Sequence, residues 1–328
     1  MVATRFWLPL DISSHGTAID NLIAYLHIFM AVLFIGWGIF FVYCLIKFRG
    51  GPGRRARYDD IKAKPSKYAE VVVVAIEAVL LVGISMPVWA SYRADPPKDN
   101  PLTVRVVAQQ FAWNIHYPGP DGKFGKTKPG LVNEVTNPLG LDRDNDPNAA
   151  DDIVSINNFY VPKGRDVVVR LTSKDVIHSF AVPLLRVKQD VIPGMEIPVW
   201  FKALETNDQV REQLTRRVQV PTDPAGIEDF ANEHRADVFM DDFGKNADGK
   251  PIAVAGGWVT DELTKALGAA GVTEIDVAPK DPVNIQCAQL CGLGHYRMMG
   301  QMQIVEPAAF QEWLDSQSGG EEEFFEDE

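Results

Sequence analysis

The sequence predicts two membrane-crossing helices followed by an all-β sandwich outside the bilayer, with an acidic insertion in the sandwich. Three observations predict this. Two apolar runs, Asn21 to Ile46 and Tyr68 to Tyr92, are each long enough to cross a bilayer, which takes about 20 residues. Short stretches of alternating apolar and polar residues follow, with the period of a strand. Charge divides the chain in the same place. The 328 residues carry a formal net charge of −12, yet residues 1–98 hold 11 Lys/Arg and 7 Asp/Glu, a net of +4, so the remainder carries −16. An acidic outer part argues against nucleic acid as a partner and favours a basic one.

On this reading the chain divides into an external lead-in (1–18), a transmembrane hairpin (19–93), a first part of the sandwich (94–204), the insertion (205–281), a second part of the sandwich (282–317) and an acidic, disordered tail (318–328). The lead-in lacks the basic start and small-residue cleavage site of a signal peptide. Between the two apolar runs lie Lys47, Arg49, Arg54, Arg55, Arg57, Lys62, Lys64 and Lys67, against only Asp59 and Asp60. The positive-inside rule puts this connector in the cytoplasm. Both termini and everything after about residue 93 then lie on the periplasmic or external face of a bacterial inner membrane. Trp89 and Tyr92 would sit at that interface, with Pro87 near the helix end.

Two carboxylates mark the second span. Glu70 lies at its cytoplasmic mouth, where a solvated helix-start carboxylate is also a sufficient reading. Glu77 is seven residues on, roughly 10 Å deeper at about 1.5 Å per residue. An ionisable group at that depth is a functional candidate and should face protein or water.

Asp95 to Pro101 is a Pro-rich linker. Thr103 to Gln109 alternates as a strand, and Gln110 to Tyr117 reads as its continuation, with Phe111, Trp113, Ile115 and Tyr117 on one face. That face would serve equally as an ordinary aromatic core. His116, on the opposite face, reads as a surface residue. Residues 118–152 are rich in Gly, Pro and Asp; Asp142, Asp144 and Asp146 alternate, but the glycine and final glutamate of a calcium loop are missing, so a solvated turn is expected. Ile153–Asn157, Asp166–Thr172, the stretch at His178 and Ile197–Lys202 read as strands. The insertion holds 16 Asp/Glu and 8 Lys/Arg, with a short helix expected from Val259 to Leu267 and a solvated His234. It contains no Cys, so no attached haem of the Cys-x-x-Cys-His kind. A closing strand, Gln301–Glu306, and a helix from Pro307 to residue 316 complete the sandwich.

The chemistry is concentrated in Gln286 to Met299. Cys287 and Cys291 are four apart, His295 follows four later and Met298 three after that. Two thiolates, an imidazole and a thioether are soft ligands that select copper, zinc or iron–sulfur clusters. The thioether argues against zinc, whose structural sites are built from Cys and His. A disulfide or a zinc half-site would occupy the cysteines but leave His295 and Met298 unexplained. Gly292 and Gly294 would let the backbone turn tightly around a metal. Cys44, in an apolar run, reads as packing.

The run from Cys287 to Met298, Cys-Ala-Gln-Leu-Cys-Gly-Leu-Gly-His-Tyr-Arg-Met, resembles the copper A loop of cytochrome c oxidase subunit II. Asp175-Val-Ile-His178-Ser matches the family's upstream histidine strand. The resemblance implies a cupredoxin-like sandwich behind a two-helix hairpin. It implies a dinuclear copper centre bridged by Cys287 and Cys291, with His178, His295, Met298 and the main-chain carbonyl of Gln289 as further ligands. It also implies a role in an aa3-type-like oxidase. Electrons from cytochrome c would pass through the copper to haem in subunit I, where oxygen is reduced and protons are pumped, with subunit III as a further partner. Electrons would enter at an aromatic cluster, here Phe111 in place of the family's Trp, or Trp113 two residues on. Glu70 would match a glutamate at the mouth of a proton-uptake channel; Glu77 has no counterpart. Asp175 and Asp190 would serve docking or hydrogen bonding around the metal. Gln289 stands where many members place a Glu that binds magnesium, and an amide is the weaker ligand for that hard cation. The insertion is an expansion on the family's layout, expected to touch a partner subunit or the electron donor.

Three other classes use related parts. A quinol oxidase subunit lacks these ligands, and a soluble nitrous oxide reductase carries a propeller domain. A nitric oxide reductase could use the same copper subunit. A membrane-tethered copper delivery protein would hold one ion with fewer, more exposed ligands.

Overall fold

The computed structural model describes residues 8–53, 55, 64–93 and 96–318. Arg54, Arg57, Asp59, Asp60 and Lys62 of the connector, Asp95, the first seven residues and the tail from 319 onward lie outside the described residues. The chain separates into two compact units, one holding the N-terminal helices and the other Ile12–Ser14 and Pro97–Glu328.

The first unit holds the apolar helices. α1 runs Gly16–Lys47 and shows apolar side chains on all sides, among them Phe34, Trp37 and Ile46, as a lipid-facing helix does. The second span is α2 (Lys64–Ala78), a π-helical segment Val79–Ser85, and α3 (Met86–Arg93). Pro87 has no N–H, and its ring clashes with a carbonyl four residues back, at Gly83 in a regular helix. The wider π turns just before it relieve that crowding. Both spans exceed the length and hydropathy that crossing requires. Glu70 and Glu77 both lie exposed on α2, and Glu77 ends one residue short of the π segment.

The second unit is a β-sandwich. Its strands begin with β1 (Leu102–Gln109) and β2 (Ala112–Tyr117), then a one-turn α4 (Pro147–Ala150) and β3 (Ile153–Ile156). β4 (Asn158–Pro162), β5 (Asp166–Ser173), β6 (His178–Val182), β7 (Val187–Val191) and β8 (Ile197–Lys202) follow. Next come α5 (Asn207–Leu214), β9 (Arg216–Gln219), α6 (Pro224–Glu233), β10 (Asp237–Phe239), α7 (Asp261–Ala269) and β11 (Glu274–Pro279). β12 (Asn284–Cys287), β13 (Met299–Val305) and α8 (Pro307–Ser318) close the chain. One five-stranded sheet has the order β3-β2-β1-β5-β8 and the other β4-β13-β12-β6-β7. Trp113, Tyr117, Phe159, Phe180 and Phe201 are fully buried between them. Their rings meet edge-on or tilted, as in Trp113–Phe180 at 5.7 Å and Phe159–Phe201 at 6.5 Å.

Four expectations need correction. The stretch 103–117 is a hairpin, since the chain reverses at Gln110-Phe111 and Gln109 pairs with Ala112. His116 is fully buried, with Nε2 2.7 Å from the equally buried Asp152 carboxylate. Asp142 and Asp146 are buried too. Asp142 pairs with Lys128 and accepts from Asn145, which holds its carboxyl below the usual range; Asp146 accepts the Lys126 N–H at 2.7 Å. The cause is common to all three. Residues 118–152 fold over the outer face of β1–β2–β3, where Leu139, Leu141 and Ala149 pack on Val107 and Val154.

The fourth is His234, buried at 3% exposure, with Nδ1 2.7 Å from Asp237, whose carboxylate also takes Arg216. It belongs to a small folded body inside the insertion. β10-β11-β9 form an antiparallel sheet there, and α6 and α7 close over Phe239, Val259, Leu267, Ile275 and Val277. α7 is capped by Thr260, which accepts from Leu263 N.

α5 ties the start of the insertion to the sandwich. Thr206 and Gln209 form a capping box, and Asn207 is buried, donating to Met302 O at 2.9 Å and accepting from Ile304 N at 3.0 Å. Asn207→Ala leaves both β13 groups without those bonds, so thermal or denaturant unfolding should show a loss of about 1–3 kcal/mol. A native unfolding midpoint would refute that assignment.

Candidate metal centre

Two separate segments supply the donor side chains. His178 opens β6 and is held by pairing with β7 and β12, in the register Cys287↔Phe180. The loop after β12 carries the rest and is pinned at its start by Ala288 N donating to Ser179 O at 2.9 Å. Cys287 Sγ lies 3.8 Å from Cys291 Sγ, 3.9 Å from His178 Nδ1 and 3.1 Å from the Gln289 carbonyl. Cys291 Sγ lies 3.6 Å from His295 Nδ1 and 3.7 Å from Met298 Sδ. All six sequence-predicted donors therefore converge on one pair of sulfurs.

The two sulfurs are too far apart for a disulfide, which needs about 2.05 Å. Metal-binding side chains at van der Waals separation, with a carbonyl turned inward, fit copper better than any use as packing. His178 Nε2 is 2.9 Å from Asp175 Oδ1, so the ring donates there and turns Nδ1 toward the sulfurs. Burial pushes the Asp175 carboxyl up, but hydrogen bonds from His178 and from the Gln110 and Val176 N–H groups outweigh it and hold it low. Cys291 moves the other way: burial first, then the neighbouring Cys287, pushes its thiol up to about 11.

The inner side of the site is dry. His178 and Trp113 are fully buried, with their rings 6.2 Å apart edge-on, and Met298 and Cys291 are 3% and 4% exposed. The outer side is open, with Leu290, Leu293 and Tyr296 all more than three-quarters exposed. Phe111 is half-buried against the loop. A Cβ on Gly294 would fall 2.4 Å from its ring, so this glycine is required by close approach. Gly292 is required by its φ of +136° as well. Asp190 is exposed on β7, opposite Ser179. Sequence reasoning missed Gln110, whose Nε2 donates to the Cys291 carbonyl at 2.5 Å. Nothing in its spacing relates it to the ligands.

The two apolar helices, the sandwich and this donor set define a membrane-anchored subunit with an external domain whose clustered donors could hold a soft metal. A family model described as cytochrome C oxidase subunit II, periplasmic domain, matches residues 102–206. The alternative cytochrome c oxidase subunit 2 of Bradyrhizobium diazoefficiens is 32% identical over 203 residues, covering 61% of this chain and 70% of that protein. Cytochrome c oxidase subunit 2 of Cereibacter sphaeroides is 33% identical over 151 residues, 42% of this chain and 48% of that one. A crystal structure of the periplasmic domain of cytochrome oxidase subunit II from Bradyrhizobium japonicum overlaps 68% of this chain and 96% of its own, at 21% identity and a TM-score of 0.33. The chain belongs to the cytochrome c oxidase subunit II family, and so to a copper-binding, membrane-bound oxidoreductase complex of respiratory electron transport.

The raised Cys291 pKa has a direct readout. Near neutral pH the metal-free Cys291 should alkylate at least about tenfold more slowly than an ordinary thiol, because so little is thiolate and the stronger nucleophilicity of a high-pKa thiolate offsets this only in part. Its rate should climb with pH toward about 11. Peptide mass spectrometry separates it from Cys287; equal, fast labelling of both at neutral pH would show the thiol to be unperturbed.

Proposed function

We propose that this chain is the electron-accepting subunit of an aa3-type-like cytochrome c oxidase, with a dinuclear copper A centre held by Cys287, Cys291, His178, His295, Met298 and the Gln289 carbonyl. The observation that carries the reading is the 3.8 Å sulfur pair ringed by two imidazoles, a thioether and a carbonyl. Bound there, a copper pair would take up and release one electron at a time. The chain's own groups make that exchange fast. Both imidazoles and both sulfurs sit on a strand pair and a short, pinned loop, so the donors need not move between redox states. Trp113 and Phe180 keep water from behind the site. Both thiols must lose their protons as copper loads, so uptake slows as pH falls.

Cytochrome c is the proposed donor. It would approach the open face of the loop, where Phe111 is accessible; the fully buried Trp113 can touch no donor and lies behind His178. Asp190 is exposed and free to act in docking, whereas the Asp175 carboxylate is committed to His178 and Gln110. The electron acceptor would be haem in subunit I, with subunit III a further neighbour. Glu70 and Glu77, seven residues apart on one side of α2, are the proposed proton-uptake groups. Described basic residues Lys47, Arg49, Arg55, Lys64 and Lys67 support a cytoplasmic connector and a periplasmic copper domain.

Cys287→Ser in the assembled oxidase tests the reading. Oxygen consumption from reduced cytochrome c should fall at least about 100-fold, in line with loss of a metal-site group, and the purple, multi-line spin signal of a mixed-valence pair should vanish. Normal turnover, or a colourless wild-type protein holding one copper, would refute it. Separately, Glu77→Gln should slow proton uptake in the assembled complex; uptake and assembly at native levels would remove Glu77 from the path.

A further inference from the structure

We propose that Gln110 is a positioning residue of the metal centre, fixing the cysteine loop and the histidine arm in one relation. This deepens the copper reading and rests on it. Gln110 sits at the reversal between β1 and β2 and faces both ligand-bearing segments. Its main-chain N–H donates to Asp175 Oδ2 at 2.7 Å, and its side-chain Nε2 donates to the Cys291 carbonyl at 2.5 Å. The other oxygen of the same carboxylate orients His178. One residue therefore spans from the bridging sulfur's own backbone to the group that aims an imidazole.

The surroundings are built for that span. A Cβ on Gly292 would lie 2.6 Å from Gln110 Nε2, so the loop passes flush against the amide. Phe111 fills the next gap, against Gly294. The turn is braced from behind: Gln109 donates to Glu134 Oε2 at 2.9 Å, and its amide oxygen accepts from Asn114 at 3.1 Å and from Lys174. Within the loop itself the bonds are local, such as His295 N to Gly292 O at 3.1 Å and Arg297 N to Gly294 O at 3.1 Å. They shape the loop but do not moor its middle to the sandwich. The Gln110 amide does, at the carbonyl of a residue that is 4% exposed.

Gln110→Leu removes the side-chain donor and keeps the main-chain bond to Asp175. In the full chain, purified in detergent without metal, amide hydrogen exchange across 288–298 should speed up about tenfold, the usual effect of one lost hydrogen bond. Exchange in β1 and β5 and the unfolding midpoint should hold. After loading with copper, loss to a chelator should be about 10–100-fold faster, as for other groups that orient metal ligands, and the spin signal should shift, which a purely structural role would not cause. Gln110→Glu, equal in length but with an acceptor facing the carbonyl, should behave alike, and it carries the test alone should Gln110→Leu fail to accumulate. Native loop exchange and a native copper signal overturn the proposal. A wild-type chain that takes up no copper sinks the copper reading instead, and exchange in the metal-free chains then decides for or against the tether.

Discussion

The pairing of β6 with β12 is the contact on which the metal centre depends. His178 and Cys287 are 109 residues apart in sequence, yet Cys287 pairs with Phe180, two residues past the histidine. Closing so long a loop costs entropy, though the cost grows only slowly with length. The sandwich core offsets it: Phe180, Trp113 and Ile285 are buried at the same level. The donors are thus brought together by the packing of hydrophobic strands. No metal is needed to organise the chain, and a metal that bound there would find its donors already assembled.

The same packing explains why the site is sealed on one side only. Strand-borne groups such as His178 inherit the burial of the sheet, whereas the loop after β12 leaves the sheet and must be covered by something else. Phe111 and Gln110 do part of that work from the neighbouring hairpin, and they approach so closely that glycine is the residue that fits at 292 and 294. The remaining loop residues, Leu290, Leu293 and Tyr296, face outward. On the proposed reading, in which a donor protein approaches the open face, this division would admit the donor and keep water from behind the site.

Much of this was legible in the sequence, because the informative signals were local. Twenty or more apolar residues, a basic connector and a Cys-x₃-Cys-x₃-His-x₂-Met run each report on residues close together in the chain. What escaped depended on distant parts. The β1–β2 reversal at Gln110-Phe111 uses none of the usual turn residues; its one local sign is a slip in the apolar alternation, from even positions (Val104, Val106, Ala108) to odd ones (Trp113, Ile115, Tyr117). β4 was hidden because Asn157, at φ +58°, separates it from β3 with no Gly or Pro to mark the break. His116, Asp142 and Asp146 look solvated by composition. They are buried because a polar-rich segment folds over β1–β3, which no pattern within that segment announces.

The insertion shows how a cupredoxin-like sandwich accepts a large addition next to its metal strand. Its two ends meet: Arg211 at the close of α5 donates to the Lys280 carbonyl at 2.8 Å, just before β12. Asn207 fastens the entering helix to β13, and Asn284 Nδ2 donates to Asp281 O where the chain leaves. Between these points the added residues bury their own apolar core and their own His234–Asp237–Arg216 cluster. Strain or motion within the added body is therefore not passed on through shared core side chains. It reaches β12 through a closed neck, where the chain enters and leaves at nearly one place. A long insertion with self-satisfied polar groups and joined ends adds little loop entropy beyond that of a short connection. The donor-bearing strand can then keep its register independently of the acidic body beside it.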